Sequence, residues 1–441
     1  MTTRLRTAPF VIVLLTLSAV TVRRVLHQPA APLPVGAVTA VAPSGSTAPT
    51  PFAPVAPVAP GASTNAGARG GRSLGAITLP LRVRWQRTSL TAIAAGIGVA
   101  PDGKTLYVAT LGGRLEALAT SDGSSRFSFD LGDRSYTAPA VAADGTIYVG
   151  SDAGVLCAVR PNGDVRFRTK LPGGAGGPKK HPEIDVAPLL LGDEVVFAAG
   201  NVLYRCGRDG AVKSTFAAPG KIFTAPAALP DGTVVFGDQA GFVHGIAADG
   251  TPRFKTSLGG PDVDGSPAVF ANGDFVIATD AAASTGQFSD PALRRDETKK
   301  GQVARLDGRG AILWKTAVAG HVRGPLSIGR DGDVRVGHFA SAKAGPGLAR
   351  LRGGDGAIVS ELAIRGTGST EFGIAGGPPQ SPNGYELFGS PHDELVLVGG
   401  AGGATVTRIP VDGDVDAPPA VLPSGEVVVA TRAGSVYLLA P

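Results

Sequence analysis

From Leu81 onward the chain repeats itself, and this periodicity limits the possible folds more than any other feature. TAPAVAADGTIYVGSDAGVLCAV from Thr137, TAPAALPDGTVVFGDQAGFVHGI from Thr224 and APPAVLPSGEVVVATRAGSVYLL from Ala417 are the clearest copies. Each alternates apolar and polar residues around a glycine turn, the pattern of half-buried antiparallel strands joined by hairpins. The turn glycine recurs at Gly103, Gly145, Gly192, Gly232, Gly273, Gly332, Gly384 and Gly425, mostly 40 to 47 residues apart with two longer gaps of 59 and 52. That is the length of a four-stranded propeller blade. Proline stands six residues before the glycine at Pro139, Pro226, Pro267, Pro378 and Pro419, tolerable at the start of an innermost strand where one side need not be paired.

A second turn, as in PNGDVRFRTK, ADGTPRFKTS and GRGAILWKTA, opens a fourth strand. Four residues after its glycine stand Phe127, Phe167, Phe254 and Trp314, with Ser214 and Ser360 where the aromatic is lost. These aromatics read as wedges between blades. The last copy stops at Pro441 after three strands, whereas LRVRWQRT from Leu81 is a fourth strand without a blade before it. The two complete one another, since pairing strands from both ends abolishes the open edges of an incomplete blade. The expected fold is an all-β, eight-bladed β-propeller over residues 81–441, closed by N- and C-terminal strands.

Residues 1–27 contain an uncharged apolar run, Ala8 to Val22, flanked by Arg4, Arg6, Arg23 and Arg24. It reads as an export segment, signal peptide or uncleaved anchor. It is shorter than the ~20 residues of a comfortable span, and the lack of a small-x-small site behind it favours the anchor. Residues 28–80, with nine prolines between Pro29 and Pro60, form a semi-rigid disordered linker. The net charge of +5 resides in these regions: residues 1–80 hold six arginines and no acid, leaving 35 basic against 36 acidic residues beyond. A balanced domain lacks the footprint of a nucleic-acid binder.

The Gly310-to-Trp314 ending (turn glycine, three residues, tryptophan) resembles that of the quinoprotein-dehydrogenase-like propellers with pyrroloquinoline-quinone-like repeats, and the likeness spans residues 81–441. Catalytic members of that superfamily hold the quinone in a central funnel with a metal ion, an Asp base and often adjacent cysteines. Here Cys157 and Cys206 are 49 residues apart and only two tryptophans occur. The resemblance is therefore nearer to the noncatalytic members, among them the outer-membrane-assembly propeller subunit, although no lipid-bearing cysteine follows the export segment. No cofactor is implied. A degenerate quinone-dependent dehydrogenase is the alternative.

Other motifs are discounted by context. GVAPDGKT, Gly98 to Thr105, spells a phosphate-binding loop but runs into a strand where that loop must open a helix. GRSLG around Ser73 spells a nucleophile elbow, yet it lies in the linker. Asp412, Asp414 and Asp416 alternate like a calcium loop without its sixth-position glycine or twelfth-position glutamate. The histidines, His27, His181, His244, His321, His338 and His392, have no zinc-ligand spacing. Cys157 and Cys206 project from equivalent faces of neighbouring blades, which favours free buried thiols over a bridge.

Function is signalled where the chain departs from its repeat. Turns between first and second and between third and fourth strands lie on one face of the disc. The long connections LPGGAGGPKKHPEID, AAASTGQFSDPALRRDETKKG and FASAKAGPG belong to the other. Insertions confined to one face mark a binding face. The same face should present the residue three places before each innermost-strand proline position: Tyr136, Asp185, Phe223, Asp264, Val322, Ala375 and Asp416. These either contact a partner or, for the acids, cap strand-entrance amides. With Lys179, Lys180, Arg294, Arg295, Lys299 and Lys300 in the loops, the expected surface is an acidic funnel mouth inside a basic rim. A protein or envelope partner, a membrane tether and a periplasmic or cell-surface location complete the expectation.

Overall fold

In the computed structural model, residues 75–441 are described except 89, 173–181, 261, 281–300, 340–345, 364–376, 391 and 400–405. Residues 1–74, which include the export segment and most of the linker, lie outside the described residues. All regular structure in the described residues is β.

The strands form eight antiparallel sheets. In chain order they span 98–130, 140–170, 189–217, 227–257, 265–318, 327–363 and 385–410, with 420–440 joined by 82–87 in the eighth. The turn glycines carry the design: all eight recurring ones have φ between 57° and 90°, a region costly for any residue with a Cβ. Each blade has a buried interior and a half-exposed outer strand: Ile147–Ser151 is buried throughout, whereas Val165–Lys170 is exposed except for the half-buried Phe167 and Thr169.

Eight hydrophobic clusters lie between neighbouring blades, so the ring is held by interfaces and not by a central core. One joins the first and second blades through Tyr107, Ala117, Ile147 and Val149. Others join the eighth blade to the first, through Val428 and Leu438 against Leu106 and Val108, and to the seventh, through Val427 and Leu439 against Leu387 and Leu395. Cys157 is buried in the first-to-second cluster and Cys206 in the second-to-third; both are free, and burial pushes both thiols up to about 11.

The aromatics act as wedges. Trp85, Phe127, Phe167, Phe254 and Trp314 each reach the glycine of the next blade's second turn. A Cβ at Gly123, Gly163, Gly210, Gly310 or Gly356 would lie 2.4 to 2.9 Å from the ring, so only glycine admits so close an approach. Trp85 Nε1 and Trp314 Nε1 donate to the carbonyls of Thr120 and Gly353 at 2.9 Å. Two residues further on, Thr169, Thr256 and Thr316 donate to the carbonyls of Gly210, Gly310 and Gly356.

Closure occurs as expected: Arg82–Arg87 pairs antiparallel with Val436–Ala440, with a bulge between Val83 and Trp85. Two details differ. The folded part begins before Leu81, because Ile77 is 1% exposed in the cluster between seventh and eighth blades. Its N–H donates to Asn383 Oδ1 at 3.1 Å while Asn383 Nδ2 donates to its carbonyl at 2.6 Å. Asn383→Ala removes both bonds and leaves a buried segment unsatisfied, so a loss of about 1–3 kcal/mol in urea unfolding is expected. Among the described residues the seventh blade also has three strands instead of four. Pro378 and Pro379 stand where its innermost strand would run, and without N–H donors only the isolated bridge Gln380–Glu386 forms.

Candidate functional site

Seven blades send residues toward the axis ahead of or along their innermost strands, where they enclose a cavity of about 270 Å³. Its wall is largely small or apolar, with Ala94, Ala138, Ala225, Pro325 and Pro419 among its members. Small side chains follow from the geometry, since innermost strands converge and leave no room for larger ones.

Four of the residues anticipated at the funnel mouth, Tyr136, Asp185, Phe223 and Asp416, line this cavity. Tyr136 and Phe223 are each 37% exposed. A cation rests on each ring: the Arg134 guanidinium is 5.9 Å from the Tyr136 centroid and Lys221 Nζ is 4.0 Å from that of Phe223.

The acidic centre expected from the sequence is neutralised. Lys221 Nζ lies 3.0 Å from Asp185 and 3.6 Å from Glu183, and Arg432 lies 2.6 Å from Asp416. Arg134 bonds Asp152 at 2.6 Å. The acids of the mouth are thus each paired with a cation, and two of these cations also rest on its aromatics.

Val322 is not at the mouth. It is 1% exposed in the cluster between fifth and sixth blades, and its neighbour Arg323 lines the cavity instead. The displacement is a register slip of one residue. Counted from the turn, the ninth residue before the glycine is Tyr136, Phe223, Asp264 and Asp416 in their blades, and before Gly332 it is Arg323. The leucine at 326, not Pro325, occupies the proline position of that blade.

Asp264 is also displaced: it is 6% exposed and not among the residues lining the cavity. Its Oδ1 is buried without a hydrogen-bond partner. Burial, aided by the nearby Asp280 and Asp262 carboxylates and opposed by Arg323, pushes its carboxyl up to about 7. Asp280, fully buried, is held below the usual carboxylate range by His321 and by Arg323, whose Nε is 2.6 Å away, although burial itself opposes the shift. Asp280 stands seven residues after its turn glycine, the position of Asp152 in the second blade, and outside the positions that pointed to the mouth. Ala375, Lys179, Lys180, Arg294, Arg295, Lys299 and Lys300 lie outside the described residues.

The chain leaves the described residues after Pro172, Asp280, Phe339 and Ala363. Each departure follows a second or fourth strand, on the face that bears the cavity mouth. One shorter stretch, 400–405, joins third and fourth strands of the seventh blade and so leaves from the opposite face.

The remaining motifs are structural. Lys104 donates its N–H to Asp102 in a hairpin turn, and a strand, not a helix, follows. Asp412 accepts from Thr431 and Ser435, whereas Asp416 pairs with Arg432, so the alternating carboxylates do not converge. His244 bonds Asp238 at 2.9 Å within the fourth blade. Among the described residues no group of three or more His, Cys, Asp or Glu is placed to hold a metal ion.

Residues 81–144 and 137–279 match the family model described as outer membrane protein assembly factor BamB. The crystal structure of BamB from Moraxella catarrhalis aligns with 82% of this chain and 100% of that chain, at a TM-score of 0.61 and 16% identity. At that identity the likeness concerns the fold. No curated protein matches the sequence. Over residues 81–279 the repeats thus match that family model, and the closed ring of eight sheets shares the β-propeller fold of BamB.

Proposed function

We propose that this chain is a noncatalytic scaffold, exported and tethered through its N-terminal segment, that binds a protein of the cell envelope on the face bearing the axial cavity. One coincidence carries the reading: the long connections at 173–181, 281–300 and 340–345 leave from the same face on which Tyr136 and Phe223 stand partly exposed. The match to a family named for outer membrane protein assembly supports a partner in the envelope. Tyr136 and Phe223 serve as aromatic anchors, the residue type that dominates binding energy at interfaces. Arg294, Arg295, Lys299 and Lys300 steer the approach, a rate effect that salt weakens.

The test is capture from an envelope extract by the tagged full chain. Replacing residues 281–300 with a tight turn, or changing both Tyr136→Ala and Phe223→Ala, should lose the captured partner while the melting temperature holds. Reversing the four loop charges should slow association and flatten its salt dependence. Retention of every partner by these variants, with loss on altering Asp144 or Asp231 on the opposite face, would place the binding surface on the wrong side. Stoichiometric quinone binding with calcium-dependent oxidation of an alcohol would overturn the noncatalytic assignment.

A further inference from the structure

Asparagine followed by glycine is the dipeptide most prone to lose its side-chain amide, because a glycine nitrogen, with no Cβ beside it, reaches the asparagine Cγ unhindered. The chain has three such pairs, with asparagine at Asn162, Asn272 and Asn383. Each sits in a hairpin turn. The following glycines, Gly163, Gly273 and Gly384, donate their N–H to the carbonyls of Arg160, Phe270 and Ser381 at 2.9, 3.0 and 3.0 Å, so the three attacking nitrogens are engaged alike.

Their side chains are held differently. Asn162 Nδ2 and Asn272 Nδ2 donate to Asp164 and Asp274 at 2.7 and 2.9 Å. A carboxylate there opposes the negative charge that develops on Oδ1 when Cγ is attacked. At the third pair that place is taken by the uncharged Tyr385, and Asn383 Oδ1 accepts from Ser381 Oγ at 2.8 Å and from the Ile77 N–H at 3.1 Å. Two donors aimed at an amide oxygen stabilise the charge of a tetrahedral step. Ser381 is fully buried, and its Oγ accepts from the Tyr385 N–H at 2.9 Å, which fixes it in this role. What opposes the reaction is the docked segment: Nδ2, the group that must leave, donates to the Ile77 carbonyl at 2.6 Å.

We propose that Asn383 is a self-modification site, where deamidation turns a reversible undocking of the Ile77 segment into a permanent one. Once Ile77 withdraws, the Gly384 nitrogen leaves its bond to Ser381 and forms a bond to Asn383 Cγ. The Cγ–Nδ2 bond breaks, and ammonia departs carrying the proton that the Gly384 nitrogen gives up. Water then opens the succinimide ring, so the net change is one water in and one ammonia out, with nothing oxidised or reduced. Opening at Cγ leaves aspartate, and opening at the main-chain carbonyl leaves isoaspartate with an extra methylene in the turn. In both products the donor to the Ile77 carbonyl is gone and a carboxylate has replaced it, so redocking would leave that carbonyl unsatisfied. This site is separate from the cavity face and stands whether or not that face binds a partner.

The test holds the full chain in warm, mildly alkaline buffer and follows the three asparagines by peptide mass spectrometry. Ile77→Lys, which cannot reseat in the apolar cluster, should speed conversion of Asn383 at least tenfold, the equivalent of about 1.4 kcal/mol of docking. Asn162 and Asn272 serve as internal clocks: their rates should hold, and the undocked Asn383 should outpace both. Asn383→Asp, the product made directly, should speed amide hydrogen exchange at Ile77 by a similar factor while exchange across Arg82–Arg87 holds. If Ile77→Lys opens the whole ring, all three asparagines accelerate together, and exchange in Asn383→Asp decides alone. Equal conversion of Asn383 with the segment docked or undocked would overturn the proposal. So would an undocked Asn383 slower than both clocks, or unchanged Ile77 exchange in Asn383→Asp.

Discussion

Deleting residues 81–88 should lower the melting temperature by roughly 10 °C or more, whereas deleting 28–74 should leave it nearly unchanged. The short deletion removes the whole Arg82–Arg87 ladder with Val436–Ala440 and withdraws Trp85 from Gly123 and from the Thr120 carbonyl. Loss of a packed tryptophan alone costs about 3–5 kcal/mol. The exposed strand Val436–Ala440 is apolar and buried in the intact ring, so the deletion also creates an unguarded edge. Against a total stability of order 5–15 kcal/mol, a loss of this size is large. Differential scanning calorimetry on the two truncations decides it, and equal transitions would contradict closure as the source of stability.

Asp264→Asn should stabilise the protein above pH 7, by up to about 4 kcal/mol. The carboxyl titrates near 7 in the folded chain and near 3.9 when unfolded, and each unit of difference corresponds to about 1.4 kcal/mol. The sign follows from proton counting. Between those two values the native state holds the proton that the unfolded state has lost, so this group's contribution falls as pH rises from about 4 to 7 and is constant above. The asparagine variant lacks that slope. Asp280, whose carboxyl is shifted the opposite way, is a neighbouring charge that helps raise Asp264, so the difference between the two proteins reports Asp264 together with its coupling to Asp280. Urea unfolding of both at pH 5 and pH 8 should show the gap widening with pH. A constant gap would mean that Asp264 is ionised throughout, with Gln239 and Arg323 outweighing its burial.

Architecture was readable because propeller repeats write the same local chemistry many times. The eight turn glycines encode a local requirement, the wedge aromatics one between neighbouring blades and the unpaired LRVRWQRT one between the first and last strands of the ring, and all are met. Legibility ended where long-range geometry decided. Proline at 325 pointed to Val322 as a mouth residue, but strand register is set by pairing with the hairpin partner, and Ser327 opposite Arg335 assigns the position to Arg323. The acids at 185 and 416 looked like a field of one sign because Lys221 and Arg432, their partners, are 36 and 16 residues away in sequence. Ile77 was hidden for a similar reason. It sits in a proline- and alanine-rich stretch, and only Asn383, 306 residues on, reveals that the stretch is docked.

That docking has a mechanical consequence. Six residues of closing strand begin immediately after the segment held by Asn383. A pull on the chain ahead of Gly75, drawn along the strand's own axis, would first have to extract Ile77 from its cluster. It would then load the bonds to Val436–Ala440 together, in shear, instead of opening them one after another like a zipper. The ring is thus fastened at the point where traction from its own N-terminal segment would enter.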